Sequence, residues 1–270
     1  MERPRLVASD IDGTLLDPME RVSRRTVAAV RRVAASNTPF VLVTGRPPRW
    51  IPQVVDAIGV AGLVVCANGG VLYDAAADRV LRATTLAPML MHDVAHALYQ
   101  AVPGCAVAVE RVGAGAGTRS DRQFLAEPGY LHAWPDADSE QAPRDEVLGH
   151  PAVKMLVRHG GIPSAQLAAA ARAVVNGAVT VTYSTGAGLI ELSPKGITKA
   201  TGLAEVAERS GLDAERTLAF GDMPNDVPML LWAEHGVAMA NAHPEVLAVA
   251  DEITAPNSED GVALVLERWF

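Results

Sequence analysis

The chain has 270 residues, 49% of them hydrophobic, which gives enough apolar surface for a large core and enough length for two domains. Its formal net charge of −8, from 23 Lys and Arg against 31 Asp and Glu, argues against nucleic acid as substrate or partner. No apolar run reaches the length of a membrane span, and two cysteines, Cys66 and Cys105, exclude a disulfide framework and a four-cysteine zinc site. Each cysteine reads as a small buried hydrophobe, and the absence of a signal-peptide pattern before the first strand gives a cytoplasmic location as the expectation.

Leu6-Val7-Ala8 reads as a short buried strand that delivers Asp10-Ile11-Asp12-Gly13-Thr14 to a sheet edge. Residues two apart in an extended segment point the same way, so the Asp10 and Asp12 carboxylates are expected to face one cavity. Two like charges so close call for a cation, and Mg²⁺, an oxygen-seeking ion that also touches phosphate, suits them. Gly13 permits a tight turn. Taken alone, the stretch suits an Asp-rich turn or a calcium loop equally.

The spacing of Val27, Val30, Val33 and Ala34 predicts a helix over 23–36 with Ser23 as N-cap. Pro39 to Val43 is the next strand, ending in Thr44-Gly45-Arg46, and a helix from Pro47-Pro48 to Gly59 follows. Thr44 and Gly45 thus reach the same edge as Asp10, where a hydroxyl and a backbone N–H suit phosphate oxygens; a plain helix cap is the competing reading of Thr44. Leu63 to Ala67 is a third strand, and Asn68-Gly69-Gly70 suits a tight turn into Val71-Leu72-Tyr73, with a role for Asn68 at a site rim as the lesser alternative. Strand and helix in alternation imply parallel pairing.

Arg79 to Thr85 reads as a strand and Leu86-Ala87-Pro88 as a crossing point. Between about 88 and 187 the pattern changes to α+β: a helix over 92–102, strands at 105–109 and 153–157, an Ala-rich helix over 164–175 and a strand at 179–183. Gly113 to Gly117 is a flexible loop flanked by Arg111, Arg119 and Arg122, read as a solvated basic loop, and 135–150 is read as loop. His92, His96, His132, His150 and His159 have no metal spacing.

Leu189 to Leu192 is read as a strand returning to the first domain. Thr198 is a candidate N-cap of a helix through Arg209, which puts Lys199 in a first turn where the helix dipole disfavours a cation. Such a lysine suits neutralising a phosphate or holding a carboxylate ionised, with Lys195 the competing candidate. Thr217 to Phe220 is the last strong strand, ending in Gly221-Asp222-Met223-Pro224-Asn225-Asp226 at the start of a helix, so Asp222 and Asp226 are expected to face the site of Asp10 and Asp12. A strand at 236–239 and helices at 244–250 and 261–269 close the chain.

These four signals, in this order and each at a strand end or helix start, resemble the haloacid dehalogenase (HAD) superfamily of phosphatases, in the Cof-like branch with a type IIB α/β cap. Residues 221–230 and 236–242 resemble that branch in detail; the likeness is weak within the cap. The resemblance implies a Rossmann-like, doubly wound parallel-sheet core formed by residues 1–86 and 188–270. It also implies an α+β cap inserted at 87–187 that sets specificity and closes over the sheet edge during reaction. By the same resemblance Asp10 is the nucleophile that forms an aspartyl-phosphate, and Asp12 the general acid and then base. Mg²⁺ is expected on the Asp10 carboxylate, the Asp12 backbone carbonyl and Asp222, with Asp226 supporting. Phosphate is expected to meet the Ile11 backbone, Thr44, Gly45, Lys199 and Asn225.

The implied activity is Mg²⁺-dependent hydrolysis of a small phosphorylated metabolite, such as a sugar phosphate or a phosphorylated cofactor. A monomer or weak homodimer with no nucleic-acid or membrane partner is expected. A phosphomutase on the same scaffold is the enzyme alternative. A signalling module that keeps its phospho-aspartate is the other, and the long insertion counts against it, since receiver-like domains have about 100–150 residues in all.

Overall fold

The computed structural model describes residues 2–116, 122–132 and 140–270. It divides into two compact units, Met1–Leu81 with Thr198–Phe270, and Arg82–Ile197.

In chain order the first unit begins with β1 (Leu6–Ser9), α1 (Arg24–Ala35), β2 (Phe40–Val43), α2 (Pro52–Ile58), β3 (Leu63–Cys66), β4 (Val71–Asp74) and β5 (Arg79–Ala83). Ser23 caps α1 by accepting the Thr26 N–H at 3.0 Å. The helix expected over 47–59 is interrupted: a single turn at Pro48–Trp50 precedes α2. Pro52 has no N–H to give the Pro48 carbonyl, so a continuous helix loses that bond, and α2 starts afresh with Pro52 at its first position.

The second unit contains α3 (Pro88–Ala101), β6 (Ala106–Glu110), β7 (Phe124–Ala126), β8 (Glu140–Gln141), α4 (Arg144–Leu148), β9 (Lys154–Arg158), α5 (Ser164–Val175), β10 (Val179–Thr182) and β11 (Leu189–Pro194). Its six-stranded sheet has the order β10-β11-β9-β6-β7-β8. Two expectations are corrected here. β11 does not return to the first sheet; it pairs antiparallel with β9 and β10, because Val179–Thr182 and Lys154–Arg158 offer it flanking partners before the chain leaves the unit. The stretch 140–150 is not loop throughout, since Arg144–Leu148 winds into a helix whose first turn carries Asp145 and Glu146. Residues 135–139, the first part of that expected loop, lie outside the described residues, as do Gly117 and Arg119. Of the other two arginines flanking the glycine-rich loop, Arg122 is paired with Glu140 and Glu146, and Arg111 donates to the carbonyls of Glu146 and Val147 near the end of α4. Arg122 is exposed, as a solvated basic loop requires, whereas Arg111 is partly buried and fastens its loop to α4.

The chain then adds α6 (Lys199–Arg209), β12 (Thr217–Gly221), α7 (Val227–Trp232), β13 (His235–Ala238), α8 (Pro244–Leu247), β14 (Glu252–Ile253) and α9 (Gly261–Leu266). The large sheet has the order β14-β13-β12-β1-β2-β3-β4-β5, parallel from β14 through β3, with β3 and β4 an antiparallel hairpin. Leu6, Ala8, Val41, Val43, Val65 and Ala219 pack on one face against Leu203, Val206, Ala207 and Met229 of α6 and α7. Alternate strand residues Val7, Leu42 and Val64 are as deeply buried, so the opposite face is covered too, and α1 packs there on β2, beside α2 and α9. This is a doubly wound α/β core. β1 lies between β2 and β12, the point where the order of strands reverses, and in such sheets the crevice beyond the carboxyl ends at that point receives ligands.

Candidate active site

Beyond Ser9 the backbone leaves the extended form. Residues Ile11–Leu15 make a wide turn closed by the Leu16 N–H on the Ile11 carbonyl at 2.9 Å, with Gly13 at φ +76°. The expectation that Asp10 and Asp12 point together fails for this reason: alternation holds along a strand and is lost in a turn. Asp10 is buried among the other acids, while the Asp12 side chain is 54% exposed and turned to Arg46.

Three carboxylates, Asp10, Asp222 and Asp226, bring one oxygen each within 4.8 Å of one another. Lys199 enters this cluster from the first turn of α6, anchored by Thr198, whose hydroxyl accepts the Thr201 N–H while its own N–H binds Thr201 Oγ1. Its ammonium, fully buried, donates to Asp10 Oδ1 and to Asp226 Oδ1, both at 2.5 Å. Lys195 is exposed. Asp226 uses its other oxygen to accept the N–H groups of Asp222 and Met223 at 3.0 and 2.9 Å, so it ties the turn after β12 to Lys199. Asp222 Oδ1 accepts the Thr14 hydroxyl at 2.9 Å.

Three buried acids against one ammonium leave an excess of negative charge. Burial pushes the Asp10 carboxyl well above its ordinary range, and the charges of Asp226 and Asp222 add to this while Lys199 opposes it. Asp222 is pushed up to about 7, again mainly by burial and then by Asp226. Lys199 is held above its usual value because Asp10 and Asp226 outweigh the burial that works against its charge. An all-oxygen donor set with surplus negative charge fits a hard divalent cation. Asp10 and Asp222 are the residues that could hold such an ion directly, since both Asp226 oxygens are already engaged.

Close approach fixes two glycines here. A Cβ on Gly13 would lie 2.2 Å from Asp222 Oδ2, and one on Gly221 would lie 2.4 Å from the Cβ of Asp226. The turn after β1 is also held from outside by Asn241, whose amide donates to the Gly13 carbonyl at 2.9 Å.

Thr44 ends β2, fully buried, and its hydroxyl oxygen accepts the Arg46 N–H at 3.0 Å, with Gly45 between them. Arg46 grips Asp12 with two prongs, Nε to Oδ2 at 2.9 Å and Nη2 to Oδ1 at 2.5 Å. The turn after β3 backs this loop. Ala67 donates its N–H to the Arg46 carbonyl and Asn68 to the Thr44 carbonyl, both at 3.0 Å, and Ala67, Asn68 and Gly69 all have positive φ. Asn68 Oδ1 also accepts the Asn225 amide at 3.0 Å, while the buried Asn225 Oδ1 has no hydrogen-bond partner among the described residues. Ile11 is buried at the head of the first turn.

The structure therefore brings Asp10, Lys199, Asp222 and Asp226 into one cluster, places Thr44 and Asn225 on the loops of β2 and β12, and turns Asp12 aside to Arg46. Sequence reasoning gave no role to Arg46, Thr14 or Asn241. Arg46 stood inside Thr44-Gly45-Arg46 and Thr14 inside the first motif, so a signal was present for these two; Asn241 had none.

The family model described as haloacid dehalogenase-like hydrolase matches residues 7–266, and the chain belongs to that family. Within it the chain groups with phosphatases. It is 28% identical over 267 residues to a 5-amino-6-(5-phospho-D-ribitylamino)uracil phosphatase of Bacillus subtilis, covering 98% of this chain and 95% of that protein. It is 28% identical over 266 residues to a phosphoglycolate phosphatase of Methanothermobacter thermautotrophicus, covering 98% and 99%. The solved structure of a sugar phosphatase of HAD subclass IIB superposes with a TM-score of 0.81 at 21% identity, over 98% of both chains, and this gives the fold. Among the described residues no helix is long and apolar enough to cross a membrane.

Proposed function

We propose that this enzyme is a Mg²⁺-dependent phosphatase of small phosphorylated metabolites, such as sugar phosphates or phosphorylated cofactors, working through a phosphorylated Asp10. The observation that carries the reading is the buried constellation of Asp10, Lys199, Asp222 and Asp226 at the carboxyl ends of β1 and β12. The relatives named for a phosphorylated ribitylaminouracil and for phosphoglycolate support the substrate class without choosing within it. Substrate choice is assigned to the inserted unit; the net charge of −8 counts against a nucleic-acid partner and the two buried free cysteines fit a cytoplasmic location, with a monomer or weak homodimer as part of the same reading.

In the first step an Asp10 carboxylate oxygen attacks phosphorus, the ester P–O bond breaks, and the leaving oxygen takes the Asp12 proton along with the bonding pair. In the second, the Asp12 carboxylate takes a proton from water, whose oxygen attacks the same phosphorus, and the bonding pair returns to Asp10 as inorganic phosphate departs. Lys199 aims Asp10 between turnovers and opposes the burial that favours its protonation. Asp226 fixes Lys199 and the Asp222 turn. Mg²⁺ on Asp10, Asp222 and the Asp12 carbonyl would supply charge neutralisation for the carboxylates and the phosphoryl group. The Ile11 and Gly45 backbone, the Thr44 hydroxyl proton and the second Asn225 N–H are donors for phosphate oxygens.

The reading predicts release of inorganic phosphate from p-nitrophenyl phosphate, abolished by EDTA, restored by Mg²⁺ and lost in Asp10→Asn. Full activity of Asp10→Asn, or of the EDTA-treated enzyme, would overturn it.

A further inference from the structure

We infer that Arg46 is a positioning residue for the proton-transfer step: it fixes the Asp12 carboxylate so that Asp12 can serve the leaving group and then the attacking water. The inference rests on the reading of Asp12 as the acid and base, and it assigns to Arg46 a task that the phosphate contacts do not cover.

The geometry starts from exposure. With its side chain 54% exposed, Asp12 has little packing to choose its orientation, and a short carboxylate in water samples several rotamers. Both of its oxygens are instead gripped by one guanidinium, at 2.9 and 2.5 Å, the fork-to-carboxylate arrangement that fixes a plane as well as a position. Arg46 is itself fixed, because its side chain is only 15% exposed, its N–H is on Thr44 Oγ1 and its carbonyl accepts the Ala67 N–H. Behind these bonds stands the turn at Ala67, Asn68 and Gly69, held at positive φ, a conformation that is costly for alanine and is retained where surrounding contacts impose it. The lever from that turn to Asp12 is therefore stiff along its whole length.

Proton transfer is compatible with the grip. When Asp12 carries its proton, one oxygen still accepts from Arg46 as a carbonyl while the other presents its O–H outward. When the proton has gone, both prongs close again. With Asp12 ionised, burial opposes the Arg46 charge but the Asp12 hydrogen bonds and the charges of Asp12, Glu20 and Asp10 outweigh it; with Asp12 protonated, Arg46 stays charged because a guanidinium does not lose its proton in a protein.

The test exploits leaving groups. A p-nitrophenolate leaves without a proton, whereas an alkoxide needs one, and a placed general acid contributes about 10²–10⁴-fold. Arg46→Ala should slow the first half-reaction, read as release of the alcohol in a single turnover, by roughly 10–100-fold on an alkyl phosphate such as glycerol 3-phosphate or a hexose 6-phosphate, with release of p-nitrophenolate losing less than about 3-fold and KM little changed for either. Asp12→Ala should show the same selectivity at larger size, and Arg46→Ala in the Asp12→Ala background should cost little more. Equal losses in that half-reaction on both substrates, or a loss carried by KM on both, would assign Arg46 to phosphate binding or to folding and overturn the inference. If Asp12→Ala is itself unselective, the proton-transfer reading of Asp12 fails first; if Asp12→Ala is selective and Arg46→Ala is not, only the present inference fails. Should Arg46→Ala not fold, Arg46→Lys, which keeps the charge and loses the fork, gives the same selective pattern at smaller amplitude, and equal effects there overturn the inference.

Discussion

Replacing Lys199 with methionine is the most direct probe of the buried constellation. The side chain is fully buried and its ammonium is the single cation among the described residues that touches Asp10 and Asp226, so Lys199→Met leaves two buried carboxylates facing each other with no described counter-charge beside them. Breaking a buried ion pair from one side costs about 3–5 kcal/mol. In a domain of this size that corresponds to a fall in Tm of roughly 6–20 °C. Adding Asp226→Asn removes one of the stranded charges, so the double variant should be more stable than the two single effects summed, with a coupling of about 2–3 kcal/mol. The measurement is urea unfolding in EDTA at pH 8, where the carboxylates most resist neutralisation by protons. Saturating Mg²⁺ should shrink the loss, because the cation replaces part of the missing charge. A Lys199→Met protein within about 1 kcal/mol of the parent, or a coupling near zero, would mean that the ammonium does not balance these acids.

Three further outcomes follow from the same site. Because the Asp222 carboxyl is raised to about 7 from an ordinary 3.8, the folded metal-free protein binds its proton more tightly than the unfolded chain does. Its contribution to stability is therefore complete below about pH 4 and disappears as pH rises through about 7; melting curves in EDTA should show this slope, and Asp222→Asn should remove it, whereas parallel pH curves for the two proteins would contradict the assignment. Gly13→Ala forces φ +76° on an alanine, at about 1–2 kcal/mol, and drives its Cβ against Asp222 Oδ2, so Mg²⁺ affinity by calorimetry should fall along with activity. Asn68→Ala should destabilise the fold by about 1–3 kcal/mol through the stranded Asn225 amide and raise KM; Asn68→Gly, which accepts the positive φ, separates the lost hydrogen bond from the strain, and a wild-type KM in Asn68→Gly would remove Asn68 from the site.

What the sequence made legible, and what it hid, divides along a physical line. Strands such as Leu6–Ser9 and Thr217–Gly221 are short continuous apolar runs, and the residues just past them land at the same sheet edge whatever the loops do, so Asp10, Asp222 and Asp226 were readable as one acidic centre, while Lys199 was readable from its place in the first turn of a helix capped by Thr198. Direction of a side chain within a turn is a different matter. Asp12 was expected beside Asp10 by strand alternation, yet one wide turn with Gly13 at positive φ sends it to Arg46, and no periodicity encodes that. The same limit left a role for Asn68 at the site only the lesser alternative: its Asn-Gly pair announces a turn correctly, while its buried contact with Asn225 arises between segments 157 residues apart. β11 was misplaced for a related reason: an apolar run such as Leu189 to Leu192 shows that a strand exists, and only its partners decide in which sheet. Side chains whose position follows from a strand end carry the charge of this site, and those whose position follows from turns and from contacts between loops aim it. The second group therefore tests whether a chain that carries the family's acids also has the proton-transfer geometry, and Arg46 is where this chain answers.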